Sequence, residues 1–108
     1  MPNFVHVGKL SGLPAGERLG AWVSGIKVLV ANVGGQIVAV DEQCTHMECS
    51  LLDAPMKEGI IVCPRHLAAF DVRTGKVLRG PATEDLPTWN VKIEGDDILV
   101  EERPVEML

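Results

Sequence analysis

Two short stretches of this chain hold side chains able to do chemistry beyond packing. In "CTHMEC" (44–49) the thiol of Cys44 is followed two positions later by the imidazole of His46, and in "CPRHLAAF" (63–70) Cys63 precedes His66 by three. Sixteen residues separate the two pairs. Thiolate sulfur and imidazole nitrogen are ligands for borderline and soft transition metals. Each pair sits in a stretch that reads as a tight loop, so its two side chains can point the same way. Two such loops side by side can present two thiolates and two imidazoles to one compact centre. One pair alone would leave open a buried cysteine beside an incidental histidine; a second pair in the same order argues against that.

Two centres accept this donor set. Zinc takes two cysteines and two histidines tetrahedrally, although its common spacing puts a Cys pair first and a His pair second. A mixed-ligand 2Fe–2S cluster takes two cysteines on one iron and two histidines on the other. One Cys and one His from each loop meet that demand symmetrically. Spacing alone leaves both metals open.

The bulk properties narrow the setting. A chain of 108 residues fits one domain and can bury roughly two thirds of its unfolded surface. The 46% apolar content and the formal charge of −5 suit a soluble globular protein. Three cysteines are an odd set for a disulfide framework, and thiols spaced beside histidines read as ligands in a reducing compartment. There is no basic stripe and there are only four aromatic rings, which argues against a nucleic-acid partner. Acidity suits docking onto a basic protein partner instead. "IKVLVANV" ends after eight residues, short of the ~18 a membrane helix needs. "MPNFVHVGKL" lacks the pattern of a secretory signal. A cytoplasmic location without membrane attachment is the expectation.

The elements that must position the two loops read almost wholly as strands. Alternating or β-rich runs occupy 3–7, 18–24, 26–33, 36–41, 59–63, 68–72, 76–78, 89–94 and 97–101, with turn residues at Gly25, Gly34-Gly35, Thr74-Gly75 and Gly95-Asp96. No 3.6-residue period is sustained, and prolines interrupt candidate helices. Many short strands at close spacing predict an all-β sandwich or barrel. Residues 42–66 and 79–87 are loop-rich and hold all three cysteines, whereas 3–41 and 88–101 are cleaner strands. The pattern predicts a β framework with a smaller, site-bearing lobe of about residues 42–87 inserted into it. Gly59 and Pro64 are suited to shaping the second loop. His6 reads as an exposed strand residue, Trp22 and Trp89 as large buried anchors, Leu51 and Met47 as apolar cover, and "EERPVEML" (101–108) as a frayed tail.

"CTH", sixteen residues, then "CPRH" resembles the ligand motif of Rieske iron–sulfur proteins. The similarity continues through "FDVRTGKVLRGPA" (70–82) and "LPTWNVKIEGDDILV" (86–100), which resemble the tail of bacterial Rieske-type ferredoxins associated with oxygenases, so it covers most of residues 37–101. The resemblance implies a single Rieske domain over 1–108, an antiparallel β framework with an inserted cluster-binding lobe. It implies one 2Fe–2S cluster, with Cys44 and Cys63 on the inner iron and His46 and His66 on the outer iron. "GPA" (80–82) resembles the proline-containing loop that covers the cluster's third side.

Three departures refine the resemblance. Cytochrome bc-type members carry an extra cysteine in each ligand loop and join them by a disulfide; Cys49 matches the first, but Arg65 stands at the second. Cys49 is therefore expected to be a packed, reduced thiol. Those members also place Ser and Tyr hydroxyls after the second histidine, where this chain has Ala68 and Phe70. Without those hydrogen bonds to the cluster, the potential is expected near the low end of the Rieske range, about −150 mV. Leu67 replaces the more usual Gly. The resemblance points to a one-electron carrier, not an enzyme, taking electrons from a flavin-dependent reductase and passing them to a terminal oxygenase or similar enzyme. A Rieske small subunit of a larger reductase, such as a nitrite reductase, is the second reading, and a structural zinc protein the third.

Overall fold

A computed structural model describes residues 3–43, 50–63, 67–80 and 85–105 of the chain. Ten strands run in order: β1 (Phe4–Lys9), β2 (Arg18–Val23), β3 (Ile26–Val33), β4 (Gln36–Asp41), β5 (Met56–Lys57), β6 (Ile60–Val62), β7 (Ala69–Asp71), β8 (Val77–Arg79), β9 (Thr88–Glu94) and β10 (Asp97–Pro104). A 3₁₀ turn, Leu10–Gly12, follows β1. Among the described residues no helix is long and apolar enough to cross a membrane.

Six strands form one antiparallel sheet in the order β1-β10-β9-β4-β3-β2, and four form a second in the order β5-β6-β7-β8. The large sheet curls until its outer strands meet: a Cβ placed on Gly8 of β1 would stand 3.0 Å from Leu19 Cδ2 of β2. The second sheet lies wholly between β4 and β9 in sequence, which is the all-β framework with an inserted lobe that the sequence predicts.

Turn chemistry fixes the framework's register. Ser24 and Gly25 both have positive φ (52° and 80°), as do Gly34 and Gly35 (59° and 99°). Two consecutive left-handed residues match the twist of a two-residue hairpin, so β2 pairs with β3 from Val23↔Ile26 onward, and β3 with β4 from Val33↔Gln36 onward.

The unbroken apolar run of β3 now has its reason. Leu29 and Ala31 join Val38 and Val40 of β4 in a core shared with Leu51, Ile61, Cys63, Ala68, Phe70 and Leu86 of the lobe. Val28 and Val30 face the other way, into a second core with Leu13, Ala39, Trp89, Ile98 and Val100. A strand covered on both faces loses the alternation of a half-exposed one. Burial of a side chain such as Phe70 or Leu29 contributes about 1.5–3 kcal/mol.

Two expectations are corrected and one element is added. Trp22 is no buried anchor, since it is 68% exposed on β2. Its cross-strand partner is Lys27, whose ammonium lies 4.0 Å from Glu42; neighbouring the apolar run did not place the indole in either core. The C-terminal stretch is not frayed from residue 101, because β10 continues to Pro104, with Glu102 N–H donating to Asn3 O and Val105 N–H to Thr88 O. A two-residue strand at Met56–Lys57, with Met56 packed half-buried on the shared core, lies where no strand signal is present in the sequence. Trp89 is buried as anticipated, and His6 is an exposed strand residue whose Nε2 lies 3.1 Å from Asp97 Oδ1.

Candidate metal centre

Of the four candidate ligands the described residues include Cys63; Cys44, His46 and His66 lie outside them, as do Cys49, Met47, Pro64, Arg65 and residues 81–84. What the structure does show is how each loop begins and ends.

The first loop is closed at its base by an antiparallel bridge between Gln43 and Ser50 and by Leu51 N–H donating to Glu42 O at 2.7 Å. Glu42, with 5% exposure, receives the Ser50 hydroxyl. A carboxylate taken out of water needs such partners, and here they fasten the chain on both sides of residues 44–49. Leu51 follows directly and is fully buried, as expected for apolar cover.

The second loop leaves β6 at Cys63 and returns at Ala68. Cys63 N–H donates to Ala68 O and Leu67 N–H to Cys63 O, both at 2.8 Å. Leu67 has a φ of 61°, the left-handed region that costs a non-glycine residue about 1–2 kcal/mol. Its carbonyl is held by Arg79 Nε–H of β8 at 2.8 Å. Gly59, in the turn between β5 and β6, has a φ of 81°, a left-handed conformation that suits glycine, and the Arg73 guanidinium lies beside it.

The segment containing "GPA" is fastened in the same manner. Val77 N–H donates to Asp85 Oδ1 at 2.8 Å, and Leu86 N–H to Gly75 O at 2.7 Å. The described residues that flank all three segments therefore meet in one place, since Leu51, Cys63, Ala68 and Leu86 belong to the same core.

The environment of Cys63 fits a cluster ligand on the inner side. Its residue is wholly buried among apolar neighbours at the foot of a closed loop, where a bare thiolate would be costly and a metal-bound one is neutralised. Ala68 and Phe70 are also fully buried, so these two positions after the loop offer a methyl group and ring carbons rather than a side-chain hydroxyl. The sequence did not single out Glu42, Arg79 or Asp85, which hold the loop bases. Each is an ordinary charged residue in a loop-rich stretch, and only the folded chain reveals its backbone partner.

One further carboxyl borders this region. Asp41, at the end of β4, accepts Trp89 Nε1–H at 2.7 Å. Burial pushes its carboxyl above the usual value of 3.8, and the indole hydrogen bond opposes that rise.

Known proteins place this arrangement. The chain is 36% identical over 98 residues to the ferredoxin component of the naphthalene 1,2-dioxygenase/salicylate 5-hydroxylase systems of Ralstonia sp, covering 91% of this chain and 94% of that relative. It is 38% identical over 100 residues to the biphenyl dioxygenase ferredoxin subunit of Pseudomonas sp. (strain KKS102), covering 92% of each. Among solved structures, a chain in the complex of reduced oxygenase and oxidized ferredoxin in carbazole 1,9a-dioxygenase superposes with a TM-score of 0.91 at 27% identity, over 96% of this chain and 97% of that one. The model of the Rieske [2Fe-2S] domain matches residues 3–90, and the chain belongs to that family.

Proposed function

We propose that this chain is a one-electron carrier of the cytoplasm, holding a Rieske 2Fe–2S cluster on Cys44, His46, Cys63 and His66. It takes electrons from a flavin-dependent reductase and delivers them to a terminal oxygenase. The observation that carries this reading is the likeness, along almost the whole chain, to ferredoxin components of dioxygenase systems. When bound, the cluster supplies a one-electron couple.

The residues of this chain set the terms of that couple. Cys63 supplies a buried thiolate at the foot of the second loop. The bridge at Gln43 and Ser50 closes the first loop and the bonds at Cys63 and Ala68 close the second, and both bases pack into one core through Leu51, Cys63 and Ala68, which keeps reorganisation small when the charge changes. The side chains of Ala68 and Phe70 carry no hydroxyl that could donate to a cluster sulfur, which leaves the reduced form without that stabilisation. A potential near the low end of the family's range, about −150 mV, follows.

A potentiometric titration of the anaerobically purified protein, followed by its visible spectrum, tests the proposal. A red-brown protein titrating as one electron near −150 mV supports it. A midpoint well above zero contradicts the low-potential assignment. A colourless protein that contains zinc and ignores reductant removes the electron-carrier role altogether.

A further inference from the structure

Leu67 presents a local conflict. It follows His66 directly in sequence, and its φ of 61° is a conformation in which a Cβ crowds the following carbonyl oxygen. Its side chain is 58% exposed, so no deep packing offsets the strain. Three hydrogen bonds at 2.8 Å do act on this turn: Leu67 N–H to Cys63 O, Cys63 N–H to Ala68 O, and Arg79 Nε–H to Leu67 O. The first two are internal to the loop. Only the third ties it to another strand.

Arg79 is well placed for this. It closes the three-residue strand β8, whose register with β7 sets Arg79 opposite Ala69. The guanidinium reaches from that neighbouring strand to the carbonyl beyond His66. A hydrogen bond from a charged donor is roughly twice as strong as a neutral one.

We infer that Arg79 is a positioning residue for the second ligand loop, holding the left-handed Leu67 through its carbonyl and placing a fixed positive charge beside the loop. This rests on the reading of Cys63 and His66 as cluster ligands. Loss of the bond loosens the loop and exposes the cluster to loss. Loss of the charge disfavours the more negative, reduced form.

The test is a small variant set of the full-length, cluster-loaded protein: R79Q, L67G, the double variant, and R103Q as a control that removes an exposed positive charge on β10. Cluster bleaching is followed by absorbance under mild denaturant, and the midpoint by potentiometry. R79Q is expected to bleach about fivefold faster or more, since even an ordinary hydrogen bond contributes about 1 kcal/mol and a charged donor more, and to have a more negative midpoint. Adding L67G, which removes the left-handed strain, returns bleaching to within about twofold of wild type but leaves the midpoint low. R103Q changes neither. An R79Q variant that bleaches like wild type, a double variant as labile as R79Q, or an R79Q midpoint no lower than that of R103Q overturns the inference. A wild-type protein without iron and sulfide would overturn the cluster reading instead. In that case thermal melting of the same four variants still tests the bond between Arg79 and Leu67.

Discussion

The framework and the inserted lobe are both antiparallel β-structure, yet they are held in different ways. In the framework β3 pairs with six residues of β2 and six of β4, and its register follows from two-residue turns and buried valines. In the lobe β5 pairs with β6 at two positions, β6 with β7 at three, and β7 with β8 at two. Ladders so short do not specify themselves. Individual locks take their place: Asp71 Oδ1 accepts Arg73 N–H, Thr74 Oγ1 accepts Lys76 N–H, Asp85 Oδ1 accepts Val77 N–H, and Arg73 and Arg79 donate to the carbonyls of Glu58 and Leu67. A region built from point contacts has little redundancy, and it is the region that carries the candidate ligands. A bound cluster would add to its stability by linkage.

The sharpest way to break this comparison uses one glycine from each region. Gly75 turns the chain between β7 and β8 at a φ of 77°, and a Cβ there would collide with the Leu86 carbonyl oxygen and stand 2.8 Å from Thr88 Cγ2. Gly25 in the framework has a similar φ of 80° but open space around it. Gly75→Ala is expected to cost roughly 3 kcal/mol or more, from left-handed strain plus overpacking of backbone on backbone. Gly25→Ala costs only the strain, about 1–2 kcal/mol. Urea unfolding followed by circular dichroism measures both. Equal costs would mean that the lobe yields as easily as a free hairpin turn.

The same contrast explains what the sequence revealed. Strands β2, β3, β4 and β9 are legible within a residue or so because apolar periodicity and Gly-containing turns are local signals. The 3₁₀ turn after β1 is not legible, and β5 is two residues long, too short for any period. The exposure of Trp22 is not legible because an indole in a strand says nothing about which face that strand buries. The end of β10 is not legible because charged residues before a proline look like a tail, while Asn3 and Thr88 accept the backbone N–H groups of Glu102 and Val105 from distant positions. At the site, residue type and spacing single out Cys44, His46, Cys63 and His66 as candidate ligands, since metal chemistry is specific about donors, and of these the described residues include Cys63. The supports are not legible: the Glu42 carboxylate accepts from the Ser50 hydroxyl, and Asp85 and Arg79 bond the backbone N–H of Val77 and the carbonyl of Leu67, all 8 to 12 residues away, and no sequence pattern marks such partners.

A smaller effect is expected at the seam between the two regions, where Asp41 ends β4 just before the first loop. Trp89→Phe removes the indole donor from a partly buried carboxylate, a loss of about 1.5–3 kcal/mol near neutrality. Its pH dependence has a definite sign. Burial already holds the Asp41 carboxyl above 3.8 in the folded protein, and removing the indole bond raises it further. Over the window between 3.8 and the folded value the native state binds more protons than the unfolded one, so lowering the pH through that window stabilises the fold. The Trp89→Phe deficit should therefore shrink as the pH falls from neutrality toward 3.8, as measured by urea midpoints, and Asp41→Asn should abolish the change. A deficit independent of pH would assign the loss to packing alone.

The smallest effect belongs to the framework's far surface and has the opposite sign. Asp97 opens β10, and its carboxyl is held below 3.8 chiefly by the hydrogen bond with His6, then by Lys9, whose Nζ lies 3.4 Å away. A depressed carboxyl contributes stability that is present above 3.8 and is lost as the pH falls through its folded value. Asp97 is exposed, so the gain is modest and screened by salt. Asp97→Asn is expected to lower the melting temperature slightly at neutral pH and low ionic strength, with the difference vanishing in about 1 M salt. The cluster midpoint should not move, because the partners of Asp97 are on β1 and no lock of the lobe depends on them. A midpoint that shifts with Asp97→Asn would show that the framework surface and the lobe are coupled after all, and that the lobe's locks do not alone set the environment of the centre.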